Sequence, residues 1–236
     1  MTLDLPLELA RVREHLVAAI PTTWGPTREL VTALVVEPLP AFTTLPVSAC
    51  VAAGGAPGAA IPLAAAWHLT GVAVRILDDI SDDDHADAVH RRIGAGRAAT
   101  VAATLLELAQ GQLAQIAVPH REGVAAIHHE AALVMWGAQD RDVAVPITSF
   151  ADYHALVHGK TAVGFGYALE SGAVVGGGDA TARRLARDAG RHLGVMLQML
   201  DDLETCLLSV PGDLGQGKLT YPLWMTIEAG GSPASA

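Results

Sequence analysis

The chain has no asparagine, only two lysines and two cysteines, and ten Phe, Trp and Tyr side chains among its 236 residues. Each scarcity excludes something. Cys50 and Cys206 lie in apolar contexts without CxxC spacing, which excludes a disulfide framework and a thiolate metal site; both read as free thiols of a reducing compartment. Basic residues number 15 against 25 acidic ones, giving a net charge of −10. Nucleic acid is thereby excluded as a partner, because phosphate backbones are held by basic faces. No segment alternates with period two in β-branched residues, while Leu, Ala and Arg, good helix formers, are abundant. The chain therefore reads as all-α.

Charge is also missing locally. From Pro38 to Val74 there is no Asp, Glu, Lys or Arg. Gly54, Gly55, Pro57, Gly58 and Pro62 interrupt this run, and neither half reaches the ~20 apolar residues of a membrane span. A buried helix pair is expected, with no membrane span. The start, MTLDLPLELARVREHL, carries acids and no basic stretch before an apolar core, so no secretory leader is expected and the location reads as cytoplasmic. Helices are predicted over 4–20, 26–36, 41–53, 59–82, 92–116, 121–141, 149–174, 179–208 and 218–229. Short connections predict an antiparallel bundle. Ser149 with Asp152 three residues on predicts a capping-box start, and GGGD at 176–179 ends one helix and caps the next. Residues 1–229 are expected as one domain and 230–236 as a flexible tail.

Directly after the uncharged run comes ILDDISDDD, residues 76–84. On a helix, Asp78, Asp79 and Asp82 stand at i,i+3 and i,i+4 spacing and share one face. The helix C-terminus already carries partial negative charge, so acids there are unfavourable unless a cation compensates or water solvates them. Oxygen donors without His or Cys suit a hard ion, Mg²⁺ above all. QMLDDLET, 198–205, repeats the pattern with Asp201 and Asp202. Two such clusters and a metal that favours phosphate oxygens point to a diphosphate. Lys160 and Lys218, the only lysines in an arginine-rich chain, are the candidate cations for it.

These residues resemble the trans-type isoprenyl diphosphate synthases, the polyprenyl synthetase family. DDISD is similar to its first aspartate-rich motif and QMLDDLET to its second. YHALVHGKTA resembles its Y…KTA segment and GDLGQGKLTYPL its D…GKxTxPL segment, and the order matches. The resemblance implies an isoprenoid synthase fold, a helix bundle around a deep apolar cavity. It implies Mg²⁺ held by Asp78, Asp79, Asp82, Asp201 and Asp202, and an allylic prenyl diphosphate contacted by Lys160, Thr161, Gln198 and Lys218, with Gln139 on a cavity-facing helix. It implies prenyl transfer by a homodimer, or by a heterodimer with a complete synthase. A terpene-synthase-like enzyme and a non-catalytic partner subunit are the other readings.

Departures accompany the likeness. The family's basic GKRxRP stretch falls near EPLPAFTTLP, which has no Lys or Arg, and its RRG after the first motif is missing. Ala73 and Val74, just before Asp78, are small, so they leave the passage of the family's cavity open. Trp67 is the first large side chain further back, almost in line with Asp78 and roughly 16 Å below it at 1.5 Å per residue. It either closes the passage or packs against a neighbouring helix. His154 and His158 have the i,i+4 spacing of metal ligands, but no HExxH glutamate accompanies them.

Overall fold

The computed structural model describes residues 3–36, 39–82, 87–208 and 220–230. Among them every regular element is helical. In order these are α1 (Leu5–Ala19), α2 (Pro26–Val36), α3 (Leu45–Ala52), α4 (Ile61–Asp82), α5 (Val89–Ile93), α6 (Ala95–Leu113), α7 (Val118–Ala144), α8 (Phe150–Val157), α9 (Val163–Val175), α10 (Ala180–Leu208) and α11 (Tyr221–Glu228). The all-α expectation therefore holds. The expected helix 92–116 is divided, because Gly94 adopts φ 82° between α5 and α6. The expected 149–174 helix contains one π-helical turn, His158–Ala162, between α8 and α9.

The stretch expected as one domain groups into two compact units that share α7, α9 and α10: Met1–Glu130 with Tyr167–Asp188, and Ala131–Gly166 with Ala189–Ala236. In the first unit α4 packs along α6 and also touches α1, α2 and α3. Its first half, Leu63 through Leu69, is buried on every side, as expected for a helix apolar all round. Ala64, Ala65 and Ala66 are fully buried, and these small side chains let neighbours approach closely. The element Pro57–Asp82 is long and apolar enough to cross a membrane by length and composition, contrary to the expectation from its glycines and prolines. The glycines end up in and before the turn Pro57–Ala60 and do not break the helix. Of its apolar window, 61% is buried inside the protein.

Two further features fix this unit. On α9, a Cβ at Gly172 would lie 2.3 Å from the Pro46 carbonyl oxygen, and one at Gly176 2.3 Å from that of Cys50. Backbone meets backbone there, which no larger residue allows. His68 of α4 is buried and its Nε2 donates to the Val35 carbonyl at 2.9 Å. Burial lowers its pKa, and the Val35 contact only partly offsets this. Both cysteines are free; Cys50 is buried, and burial raises its pKa.

The expected caps are present. The Ser149 hydroxyl accepts from Asp152 N–H at 3.1 Å and donates to Asp152 Oδ2 at 2.7 Å, while Arg141 pairs with the same carboxylate. The Ser149 bond, followed by Arg141, holds the Asp152 pKa low. Asp179 Oδ1 accepts from Ala182 N–H at 2.8 Å and caps α10.

Candidate active site

In the first unit, Asp78, Asp79 and Asp82 occupy the last turns of α4, all half-buried. Asp83 and Asp84 lie outside the described residues. Val74 is half-buried one turn before Asp78, and Ala73 is fully buried. Trp67 is buried and meets the Phe42 ring edge-on, with centroids 5.7 Å apart.

The second unit carries the remaining described candidates. The π turn sets Lys160 and Thr161 at the junction of α8 and α9. Such turns insert one residue into a helix and re-aim side chains, and they recur at functional sites. Lys160 Nζ donates to Asp142 Oδ2 of α7 at 2.7 Å. Gly159, just before it, packs so tightly on α7 that a Cβ would lie 2.6 Å from the Cβ of Ala138, neighbour to the half-buried Gln139.

Helix α10 approaches the same junction through Gly190 and Gly194. A Cβ on Gly194 would lie 2.7 Å from the Ala162 Cα, and one on Gly190 2.3 Å from the Phe165 carbonyl oxygen. One turn beyond Gly194 comes Gln198, and next to Ala162 stands Thr161. The close crossing therefore brings Thr161 Oγ1 to donate to Gln198 Oε1 at 2.8 Å. Gln198 Nε2 in turn donates to Asp202 Oδ1 at 2.9 Å.

The paired aspartates of the second motif have unlike surroundings. Asp201 is exposed. Asp202, expected as a metal ligand, is only 6% exposed. Its Oδ2 accepts from the Tyr153 hydroxyl at 2.5 Å and from Tyr221 N–H at 2.8 Å. Consecutive helix positions point about 100° apart, so one aspartate faces outward and the other inward. Burial, and then Asp202, push the Tyr153 pKa well above the usual phenol range. Asp202 also replaces Thr220 at the start of α11, since the Thr220 hydroxyl makes no capping bond.

Sequence reasoning gave no role to Asp142, Tyr153 or the π turn. A signal for Asp202 was present: Gly190, Gly194, Gln198 and Asp202 recur every fourth residue, one packed row of α10. Lys218 lies outside the described residues. His154 and His158 lie ring to ring, centroids 4.4 Å apart. Among the described residues no three His, Cys, Asp or Glu side chains are grouped so as to hold a metal ion by themselves. The oxygen-only carboxylates at the end of α4 nevertheless suit Mg²⁺, which takes one or two carboxylates and completes its shell with water and phosphate oxygens.

A family model described as polyprenyl synthetase matches residues 40–234. An octaprenyl diphosphate synthase of Haemophilus influenzae is 33% identical over 98 residues, 39% of this chain and 30% of the relative. A (2E,6E)-farnesyl diphosphate synthase of Mycobacterium bovis is 29% identical over 195 residues, 77% of this chain and 54% of the relative. The chain thus spans about half or less of the length of these relatives. In fold it is similar to a crystal structure of a geranylgeranyl pyrophosphate synthase, with TM-score 0.85, 21% identity, and coverage of 96% of this chain and 74% of that one. A polyprenyl synthase from Caulobacter crescentus, complexed with calcium and isoprenyl diphosphate, superposes with TM-score 0.84 at 23% identity, covering 98% and 74%. These likenesses establish the isoprenyl synthase fold.

Proposed function

Since the chain belongs to the polyprenyl synthetase family, we propose that it is a Mg²⁺-dependent prenyltransferase of the isoprenyl diphosphate synthase kind, acting on an allylic prenyl diphosphate. The observation that carries this reading is the π turn. It presents an ammonium, Lys160, beside a hydroxyl, Thr161, whose orientation is set by Gln198, and one turn past Gln198 stands the exposed carboxylate Asp201. A cation in the turn and an exposed acid on the helix packed against it suit a ligand that is both anionic and metal-bearing.

Asp78, Asp79, Asp82 and Asp201 are the proposed metal-holding carboxylates. Mg²⁺, when bound, supplies Lewis acidity that stabilises a departing diphosphate. Lys160 neutralises diphosphate oxygens, Thr161 and Gln198 orient the substrate beside them, and the alanine-rich start of α4 supplies apolar surface from which water is excluded.

The test is product analysis. The protein is incubated with Mg²⁺ and geranyl, farnesyl or geranylgeranyl diphosphate, with and without isopentenyl diphosphate. Longer prenyl diphosphates formed only with isopentenyl diphosphate support the reading. Hydrolysed or cyclised products in its absence, or no turnover of any substrate, would overturn it.

A further inference from the structure

We infer that Asp202 is a positioning residue: it decides which end of the Gln198 amide faces Thr161, and so which hydrogen-bonding role the Thr161 hydroxyl keeps for a ligand. The inference rests on the assignment of Thr161 and Gln198 to the substrate site proposed above.

The argument is one of donors and acceptors. The two oxygens of Asp202 receive three hydrogens, from Gln198 Nε2, the Tyr153 hydroxyl and Tyr221 N–H. Two of these come from different helices, α8 and α11, so the carboxylate is held in place from outside its own helix. An ionised carboxylate can only accept. It therefore fixes the Gln198 amide with its NH₂ toward Asp202, and the amide oxygen is left toward Thr161. That oxygen also can only accept, so Thr161 must spend its single hydrogen on Gln198, at 2.8 Å. The Thr161 oxygen then meets a ligand with lone pairs alone, so it takes a donor such as a metal-bound water of the substrate complex and not a bare diphosphate oxygen. An amide ordinarily can be turned end for end, and its neighbours choose the orientation. Here the choice is made two hydrogen bonds away from Thr161 by a buried carboxylate. Metal ligation by Asp202 would require giving up these bonds inside a site only 6% exposed.

The reversal is testable by isosteric exchange. In Asp202→Asn, the side-chain NH₂ facing Gln198 turns the amide, presents Nε2 to Thr161 and inverts the chain of bonds. In Asp202→Asn/Gln198→Glu, the asparagine donates to the glutamate, Thr161 again donates to an acceptor, and the original order returns. For product formation, Asp202→Asn is expected to lower kcat by about a hundredfold, the scale of a misaligned reacting geometry. KM and the Mg²⁺ half-saturation should stay within about twofold, and the double variant should recover at least about tenfold in kcat. Should Asp202→Asn fail to fold, Gln198→Glu, which sets two carboxylates together, reads the same network: its loss must be relieved by adding Asp202→Asn. Calorimetric binding of Mg²⁺ with inorganic pyrophosphate needs no turnover. If Asp202→Asn weakens it as Asp201→Ala does, Asp202 is a metal ligand and the inference fails. Unchanged kcat in Asp202→Asn, or a double variant no better than either single one, also overturns it. Absence of turnover in the unaltered protein fails the functional reading instead. In that case urea unfolding of the same four proteins still decides the inference: relief of each single loss in the double variant supports the bond order, and simple addition of losses refutes it.

Discussion

Lys160 and Asp142 form an ion pair, Nζ to Oδ2 at 2.7 Å, with side chains 21% and 19% exposed. The pair joins α7 to the π turn and presents a positioned ammonium for which a diphosphate must compete. Replacing Lys160 with Ala should weaken binding of inorganic pyrophosphate and Mg²⁺ by about 1.5–3 kcal/mol, the range for hydrogen bonds to charged groups. Asp142→Asn removes the competitor and keeps the ammonium, so its loss should be smaller. Titration calorimetry compares the two, and unchanged affinity in Lys160→Ala would remove Lys160 from the site.

The carboxylates are tested by metal linkage. Ligands that bind only the folded state raise its stability by mass action. Mg²⁺ with pyrophosphate should raise the melting temperature of the unaltered chain and of Glu107→Ala, an exposed acid on α6. In Asp78→Ala and Asp201→Ala the increment should vanish. Its persistence in either variant would remove that aspartate from the metal set.

Two glycines predict opposite signs. At Gly194 a methyl group would press to 2.7 Å on the Ala162 backbone, whereas nothing lies within 4 Å of one at Gly137 in α7. Gly194→Ala should therefore destabilise by about 1–3 kcal/mol, as overpacking does. Gly137→Ala should stabilise by about 0.5–1 kcal/mol through helix propensity. Urea unfolding measures both. Gly194→Ala should also lose activity, because it pushes Gln198 off Thr161; a fully active, equally stable Gly194→Ala protein would disprove the close crossing.

His68 makes stability depend on pH. Its folded pKa is lowered, chiefly by burial. Below about 6.5, the unperturbed value, the unfolded chain takes up a proton that the folded chain resists. Stability from this group is thus complete above that pH and falls as the solution is acidified toward the folded pKa. His68→Gln, which keeps a donor for Val35, should flatten the decline below about pH 6.5. Parallel stability curves for the two proteins would count against it.

Trp67 separates packing from chain-length control. Trp67→Ala should cost about 3–5 kcal/mol, as buried tryptophans do on truncation. If the indole closes the passage toward Asp78, the milder Trp67→Phe shifts products toward longer chains. An unchanged product distribution assigns Trp67 to core packing, with Phe42 among its neighbours.

Much of the helical layout could be read from the residues. Prolines, the Ser149 cap and the GGGD stop are local signals, and local physics decides them. The acidic clusters were legible because their residue types have few reasons to be together; Lys160 stood out as one of two lysines, and Thr161 entered only through the resemblance of YHALVHGKTA to the family's Y…KTA segment. The contrast between Asp201 and Asp202 was only half legible: the row Gly190, Gly194, Gln198 and Asp202 marks a packed face of α10, but the partners that bury Asp202 stand on other helices. Tyr153 was marked only as the first residue of the Y…KTA resemblance, without a role, and Asp142 carried no signal of its own: both become specific only when α8 and α7 bring them to Asp202 and Lys160. The π turn was hidden for a related reason. Nothing in HGKTA forbids an ordinary helix, and the packing of Gly159 on Ala138 and of Gly194 on Ala162 constrains that segment from two sides.

That turn gives the α8–α9 run two angular phases. One residue more than an α-helical path requires is accommodated between Val157 and Val163, and one residue corresponds to about 100° of rotation. Side chains before the turn and after it are thus set independently against their neighbours. Deleting a single residue there would leave a more regular helix and yet rotate one half against the other. Either Tyr153 would turn from Asp202 or Thr161 from Gln198. Helical content, as read by circular dichroism, would hardly change while the chemistry was lost: at this point a length of chain, rather than any side chain, carries the information.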